Sequence, residues 1–328
     1  MLLDVFNGDA FHMTELTAAI NRMPFAPTRL GSMGLFVEQG IETLTLAIEA
    51  QEGVLTLVPT KARGAPGTVK TEPRRNVRNF STVHLPQTVS VWADEVIGLR
   101  AFGKQTDTEL AMSKLARKMA IAKRDLDLTH EWQRMGALKG IVYDSNGSSV
   151  IYNYFTEFGL SQQTHDMVLD SDTTKVAVKI NEFKRKMEDK LGGLMPSGVT
   201  VLCSPEFFDA FISHPAVVET YKYQQGAVLR TDRRDGFEFG GCWWEEYRGL
   251  SATAFIAANK AYAVPTGVPD QFMSYYSPAP YMETVGTTGL PFYAKKQMLD
   301  FDKGLDVEVQ SNPLHMNTRP ESVIELSI

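Results

Sequence analysis

The 328-residue chain is 43% hydrophobic and 22% charged, the make-up of an ordinary globular protein with room for two modest cores. Its net charge of −6 repels phosphate, so the molecule as a whole is not built to neutralise nucleic acid. Its two cysteines exclude a disulfide framework and fit a reducing compartment.

Met1-Leu2-Leu3-Asp4 lacks a basic flank and meets Asp4 and Asp9 before an apolar run forms, so a signal peptide is not expected. No run of about 18 apolar residues is present to span a membrane. Thr14–Asn21 predicts a short helix. Pro24, Pro27 and Gly31 break the residues after it, which read as an arm lying on another surface. From Ile41 the pattern becomes β: Thr43, Thr45 and Ala47 alternate with Leu44, Leu46 and Ile48, and Val54–Val58 and Gln87–Trp92 come next as further strands.

Between those last two runs lies a segment of a different kind, residues 59–86. Lys61, Arg63, Lys70, Arg74, Arg75 and Arg78 face a single acid, Glu72, so this stretch carries +5 and the rest of the chain −11. A connection this long without its own periodicity is functional or disordered in most proteins. As a hairpin, about 14 residues per arm at roughly 3.3 Å each reach about 45 Å, too far for the segment to bury itself. Three readings compete. A solvated charge run is the ordinary one, but four prolines and two glycines give this segment a shape. A nucleic-acid arm would have Phe80 alone for stacking and so be blind to sequence. Self-association, with the six cations against the acidic body of another copy, uses the opposite charges best.

Thr106-Asp107-Thr108-Glu109 is a capping box that opens the clearest helix of the chain. Leu115, Met119, Ala122, Leu126 and Thr129 form one apolar row and Ile121, Leu128, Trp132 and Met135 a second, so the helix should be covered on two sides until Gly140 stops it, or Gly136 a turn earlier. Asn146-Gly147 marks the turn of a following hairpin. A second region then begins near Thr173. It has an amphipathic helix from Val176 to Leu191, a buried strand at Val199–Cys203 and a short helix from Pro205 to Ile212. β-rich sequence continues at Phe237–Tyr247 and Ala252–Ala263, and alternation returns at Leu305–Val309 and Val323–Ile328.

No motif for chemistry emerges, and no catalytic, cofactor-binding or metal site is expected. The six histidines (His12, His84, His130, His165, His214, His315) lack ligand spacing, and His130-Glu131 lacks the second histidine of a zinc helix. His165-Asp166 has no nucleophile elbow to serve. Cys203 and Cys242 sit in apolar company, as buried inert thiols do. Gly64-Ala-Pro-Gly67-Thr-Val-Lys70 does not have phosphate-loop spacing.

Three ordered stretches carry a resemblance: Leu35–Gly53, the loop beginning at Val58-Pro59-Thr60, and the ending Ser311-Asn-Pro-Leu-His-Met-Asn-Thr-Arg319-Pro320-Glu321, joined by Arg117–Asp125 within the long helix. Together they resemble the major capsid protein of lambda-like tailed phages, the phage major capsid protein E family, across essentially the whole chain. The resemblance implies an α+β, HK97-like capsid fold. Its parts would be an N-terminal arm (1–40), an extended β-hairpin loop region (41–92), a peripheral domain with a long spine helix (93–160), an axial domain (161–299) and C-terminal strands returning to both (300–328). It also implies a major head protein that is not an enzyme and needs no cofactor. Such a protein self-assembles as hexamers and pentamers into an icosahedral shell around the phage genome. Its implied partners are a scaffolding protein, a portal, in many members a decoration protein, and packaged DNA held only non-specifically, with no membrane. It would be assembled in the host cytoplasm and end in the virion capsid. An enzyme of unrecognised hydrolase or transferase type and a sequence-blind DNA-binding protein are the alternatives.

Overall fold

The structure, a computed structural model, describes residues 12–24, 28–50, 76–97, 107–223, 236–249 and 254–328. In chain order its elements are α1 (Met13–Arg22), α2 (Arg29–Met33), β1 (Val37–Gly40), β2 (Thr45–Ala50), β3 (Asn76–Ser81), β4 (Leu85–Trp92), α3 (Ala93–Ile97) and α4 (Asp107–Lys139). They continue with β5 (Ile141–Tyr143), β6 (Val150–Asn153), α5 (Tyr154–Phe158), β7 (Gln163–Asp166), α6 (Val176–Lys190), β8 (Gly198–Cys203), α7 (Pro205–Ser213) and α8 (Pro215–Tyr223). The last are β9 (Phe237–Phe239), β10 (Cys242–Glu246), β11 (Lys260–Thr266), β12 (Phe272–Tyr276), β13 (Tyr293–Met298), β14 (Gly304–Ser311), β15 (Pro313–Asn317) and β16 (Ile324–Ser327). The chain divides into two compact units, crossing between them at 47/48, 78/79, 131/132, 272/273 and 315/316.

Unit 1 is built on the antiparallel sheet β13-β14-β4, whose central strand β14 is the alternating run Leu305–Val309 extended on both sides. Leu305, Val307 and Val309 point inward and meet Val91, Phe292 and Ala294. The first apolar row of α4, Leu115, Met119, Ala122 and Leu126, closes this core, each Leu or Met side chain contributing about 1.5–3 kcal/mol by leaving water. The second row departs from expectation in part: Met135 is buried, Leu128 and Trp132 are half-buried, and Ile121 is exposed. The buried positions of the helix go instead to Lys123, Asp127, His130, Glu131, Gln133 and Arg134. Lys123 and Asp127, one turn apart, form an ion pair of 3.1 Å, and Lys123 also lies 4.8 Å from the centre of the Phe292 ring.

The described part of the N-terminal segment rests on its own subunit. Leu16 and Ile20 of α1 enter the core of unit 1, and the Thr17 hydroxyl accepts from the Ala294 N–H while Asn21 donates to the Phe292 carbonyl (2.9 Å). These bonds cap the start of β13. At the other edge, the Lys118 ammonium donates to the Ser90 carbonyl of β4 (2.5 Å). Side-chain caps of this kind blunt a sheet edge against pairing with another strand. A second sheet, β1-β12-β15, begins with β1 parallel to β12. Here Gly289 is obligatory: its N–H donates to Ile41, and a Cβ would stand 2.0 Å from the Tyr276 carbonyl oxygen.

Unit 2 carries a six-stranded mixed sheet, order β7-β16-β11-β8-β10-β9. β8 contains the run Val199–Cys203, buried on both faces as a central strand must be. Val176, Ile180, Phe183 and Met187 of α6 recur at 4-3-4 spacing and pack on it with Phe207, Phe208 and Phe211 of α7. Trp244 of β10 stacks on Phe211 at 3.9 Å between ring centres. α7 starts where Ser204 accepts the Phe207 N–H and Pro205 fills the first helical position. α6 ends before Gly192 and Gly193, both left-handed, as the sequence predicts. α4 ends at Gly140, whose φ is 88°. Only part of Ala252–Ala263 is strand among the described residues, because β11 starts at Lys260 after a turn through Asn259 at φ 62°.

Candidate subunit interface

β2 and β3 pair as the foot of the basic segment. Phe80 is buried, and just beyond β3 the chain is held at three successive residues. The Thr82 N–H donates to Leu44 (3.0 Å) and its hydroxyl bonds that of Ser277 (2.8 Å). The Val83 N–H donates to Pro313 (2.9 Å), and His84 Nδ1 bonds Asn312 Oδ1 (2.8 Å). One end of the segment is therefore fixed to unit 1 by polar contacts with defined geometry.

Of the six cations singled out in the sequence, Lys61, Arg63, Lys70, Arg74 and Arg75 lie outside the described residues, as does the expected strand Val54–Val58. Arg78 is described. It belongs to β3, half-buried, with its guanidinium 3.9 Å from Glu157 and 5.8 Å from the centre of the Phe158 ring. Arg78 thus meets an acid and an aromatic of its own chain. The pair is partly exposed and long, worth about 0–1 kcal/mol.

The outward side of the unit 1 sheet bears a polar groove of about 430 Å³, lined by Thr88, Tyr281, Lys295, Gln297, Asp306 and Glu308 among others. Lys295 bonds both carboxylate oxygens of Glu283 at 2.8 Å, which holds that carboxyl below its usual range. Burial, then the bond from its hydroxyl to Glu308 (2.9 Å), pushes the Tyr281 phenol up. Beside this groove Glu283 is thus engaged by Lys295 and Glu308 by Tyr281. Large apolar side chains lie exposed on unit 1 at Leu44, Trp92, Met282, Val285 and Phe301.

The groups with chemical potential are interior. His130 bonds the Ser311 hydroxyl (2.9 Å) and stacks on Phe292, while His315 bonds the Ser274 hydroxyl (2.7 Å). The Glu131 carboxylate accepts the N–H groups of Leu30 (2.7 Å) and Gly31 (3.2 Å), so its charge is used in fastening α2. Burial pushes the Cys203 thiol well up and the Cys242 thiol to about 11, and both lie in the core of unit 2. His165 is held below its ordinary value by burial first and by Lys186 and Lys179 second. Among the described residues no group of three or more His, Cys, Asp or Glu is placed to hold a metal ion, and no helix is long and apolar enough to cross a membrane.

Exposed apolar residues and a basic segment anchored at one end are suited to contact with another protein. The sequence model for "Phage major capsid protein E" matches residues 12–328. The chain belongs to that family. It is a major capsid protein, and copies of it form a phage shell. It is 28% identical to the major capsid protein of Pseudomonas phage KPP10 and 24% identical to that of Salmonella phage Felix O1, covering 96% of this chain and of each relative. Three solved structures share the fold. A phage-related protein from Bordetella bronchiseptica RB50 has a TM-score of 0.54 at 14% identity, over 95% of both chains. The capsid of Cyanophage P-SCSP1u has a TM-score of 0.54 at 10% identity, over 93% of this chain and 89% of the other. The capsid of Ralstonia phage GP4 has a TM-score of 0.51 at 11% identity, over 89% and 87%. The α+β, HK97-like shell fold implied by the sequence is therefore the fold of this capsid protein.

The exposed aromatic residues of unit 1 were not singled out from the sequence. Phe301 had one signal, since it is a lone aromatic between Asp300 and Asp302 at the turn joining β13 to β14. Nothing comparable marks Trp92, which ends a strand whose other large apolar residues turn inward.

Proposed function

We propose that this capsid protein assembles as hexamers and pentamers into an icosahedral shell around a phage genome, and that its basic segment locks each copy to the next. The support is the +5 charge of residues 59–86 on a chain whose remainder carries −11, together with the anchoring of that segment at Thr82, Val83 and His84. Lys61, Arg63, Lys70, Arg74 and Arg75 lie over acids of an adjacent copy in this reading, with Arg78 bracing the base of the segment against Glu157. Charges at the rim of a contact set encounter rate and register more than affinity. Unit 1 acts as the peripheral domain and unit 2 as the axial domain around the capsomer axis. Assembly takes place in the host cytoplasm with a scaffolding protein and a portal, and DNA is held only non-specifically. The protein carries no catalysis of its own.

Light scattering and electron microscopy of the purified protein at low and high salt test this reading. Rings or closed particles whose formation slows as salt rises are expected. A monomer at every salt concentration contradicts it.

A further inference from the structure

His130 of α4 and His315 of β15 are two buried histidines of unit 1, 1% and 3% exposed, and their ring centres stand 5.3 Å apart, edge to face. Three aromatic residues complete the box around them. Phe292 stacks on His130 at 5.4 Å, Phe36 meets His315 at 6.1 Å, and Tyr276 lies 5.9 Å from His130 and 6.3 Å from His315. Each imidazole also has a serine: His315 Nδ1 bonds the Ser274 hydroxyl (2.7 Å) and His130 Nε2 that of Ser311 (2.9 Å). The Ser311 hydroxyl gives its own proton to the Pro291 carbonyl (2.6 Å), so it accepts from His130, which carries its proton on Nε2.

The box joins separate parts of unit 1. Phe36 leads into β1, Tyr276 ends β12, and the Tyr276 hydroxyl donates to Glu38 of β1 (3.3 Å). The charged side chains around the pair come from α4 and β1. On α4, Asp127 serves Lys123, Glu131 serves the N–H groups of Leu30 and Gly31, and Arg134 is one turn beyond His130. On β1, Glu38 serves Tyr276, while β12 and β15 bring no charged residue besides His315 itself. A proton taken up by either ring is therefore buried among aromatic carbons, and two protonated rings at this separation repel each other.

We propose that the His130–His315 pair is an acid-released latch: neutral, it holds Phe36 and β1 in unit 1, and protonated, it lets them go. The unfolded chain takes up protons on both imidazoles below about pH 6.5, whereas the folded box resists them. The unfolded state then binds more protons, so the stability this pair contributes is present above about pH 6.5 and is lost as pH falls below it. Opening starts at β1, a four-residue edge strand whose own side chains are largely exposed. Its buried anchor is Phe36, 7% exposed, and that ring rests on His315.

The test is the melting point of the unassembled subunit between about pH 7.5 and about pH 5, for the parent and for His130→Gln/His315→Gln. Glutamine can still bond each serine but takes up no proton. The parent should lose roughly 3–8 °C more than the double variant across this window. At the acid end, hydrogen exchange over Leu35–Ile41 should be about ten-fold faster in the parent than in the variant. The ring signals of His130 and His315 in the folded parent, followed by NMR, give a reading that does not depend on the variant folding: neither ring should be half-protonated at or above about pH 6.5. Equal losses in parent and variant, or either ring half-protonated at about pH 6.5 in the folded parent, would overturn the latch. Equal exchange over Leu35–Ile41 would overturn the release of β1.

Discussion

α6 in unit 2 and the first 25 residues of α4 in unit 1 are both amphipathic helices laid on a sheet, but they bury different chemistry. α6 turns Val176, Ile180, Phe183 and Met187 inward and meets aromatic rings from α7 and β10. α4 turns in Leu115, Met119, Ala122 and Leu126, and beside them Lys123, Asp127, His130 and Glu131. An apolar interior gains roughly in proportion to the area it removes from water. A buried polar group contributes only if it meets its partner, so each one ties the helix to a particular residue: Lys123 to Asp127, His130 to Ser311, Glu131 to Leu30 and Gly31. The α6 side of unit 2 is thus held mainly by area, and the α4 side of unit 1 by area plus matched pairs.

This contrast can be broken most sharply by deletion. Trp244→Ala should cost about 3–5 kcal/mol in chemical denaturation, because it empties the centre of the unit 2 core. A loss under about 1 kcal/mol would show that the stack on Phe211 is not central. In unit 1, Asp127→Ala should cost about as much, roughly 3–5 kcal/mol, by leaving Lys123 buried without its carboxylate. The double variant Lys123→Met/Asp127→Leu should recover most of that loss, and equal losses in the single and double variants would erase the difference between the two units. Both pairs of measurements are made on the unassembled subunit.

A smaller effect comes from the end of α4 that lies in unit 2. Lys139 donates to the Phe255 carbonyl (2.8 Å) and is held down to about 8, by burial first and Lys260 last, with Glu325 opposing. Between about pH 8 and 10 the unfolded chain therefore keeps a proton on this lysine that the folded chain has released. Stability contributed by this group should rise with pH across that window, by roughly 1–3 kcal/mol, and Lys139→Met should flatten the rise. A parental protein whose melting point falls steadily across the same window in step with Lys139→Met would contradict this assignment.

Much of the fold was legible where one local signal sufficed. The contiguous run Val199–Cys203 is a central strand, Gly192-Gly193 stops α6, and Leu305–Val309 alternates because one face of β14 is core. The features that escaped depended on distant partners. α2 forms between Pro27 and Gly34 because Glu131, a hundred residues on, accepts its first N–H groups. Ile121 continues an apolar row in sequence, but the space on that side of α4 is not offered to it, and Lys123 and Asp127 go inside because each neutralises the other. The basic segment was legible as charge and length.

The most direct test of the intersubunit lock is assembly of Arg74→Glu/Arg75→Glu, followed by light scattering and electron microscopy with the subunit's melting point measured alongside. The lock predicts a subunit that melts as the parent does and forms no shells. Parental particles from this variant would contradict it.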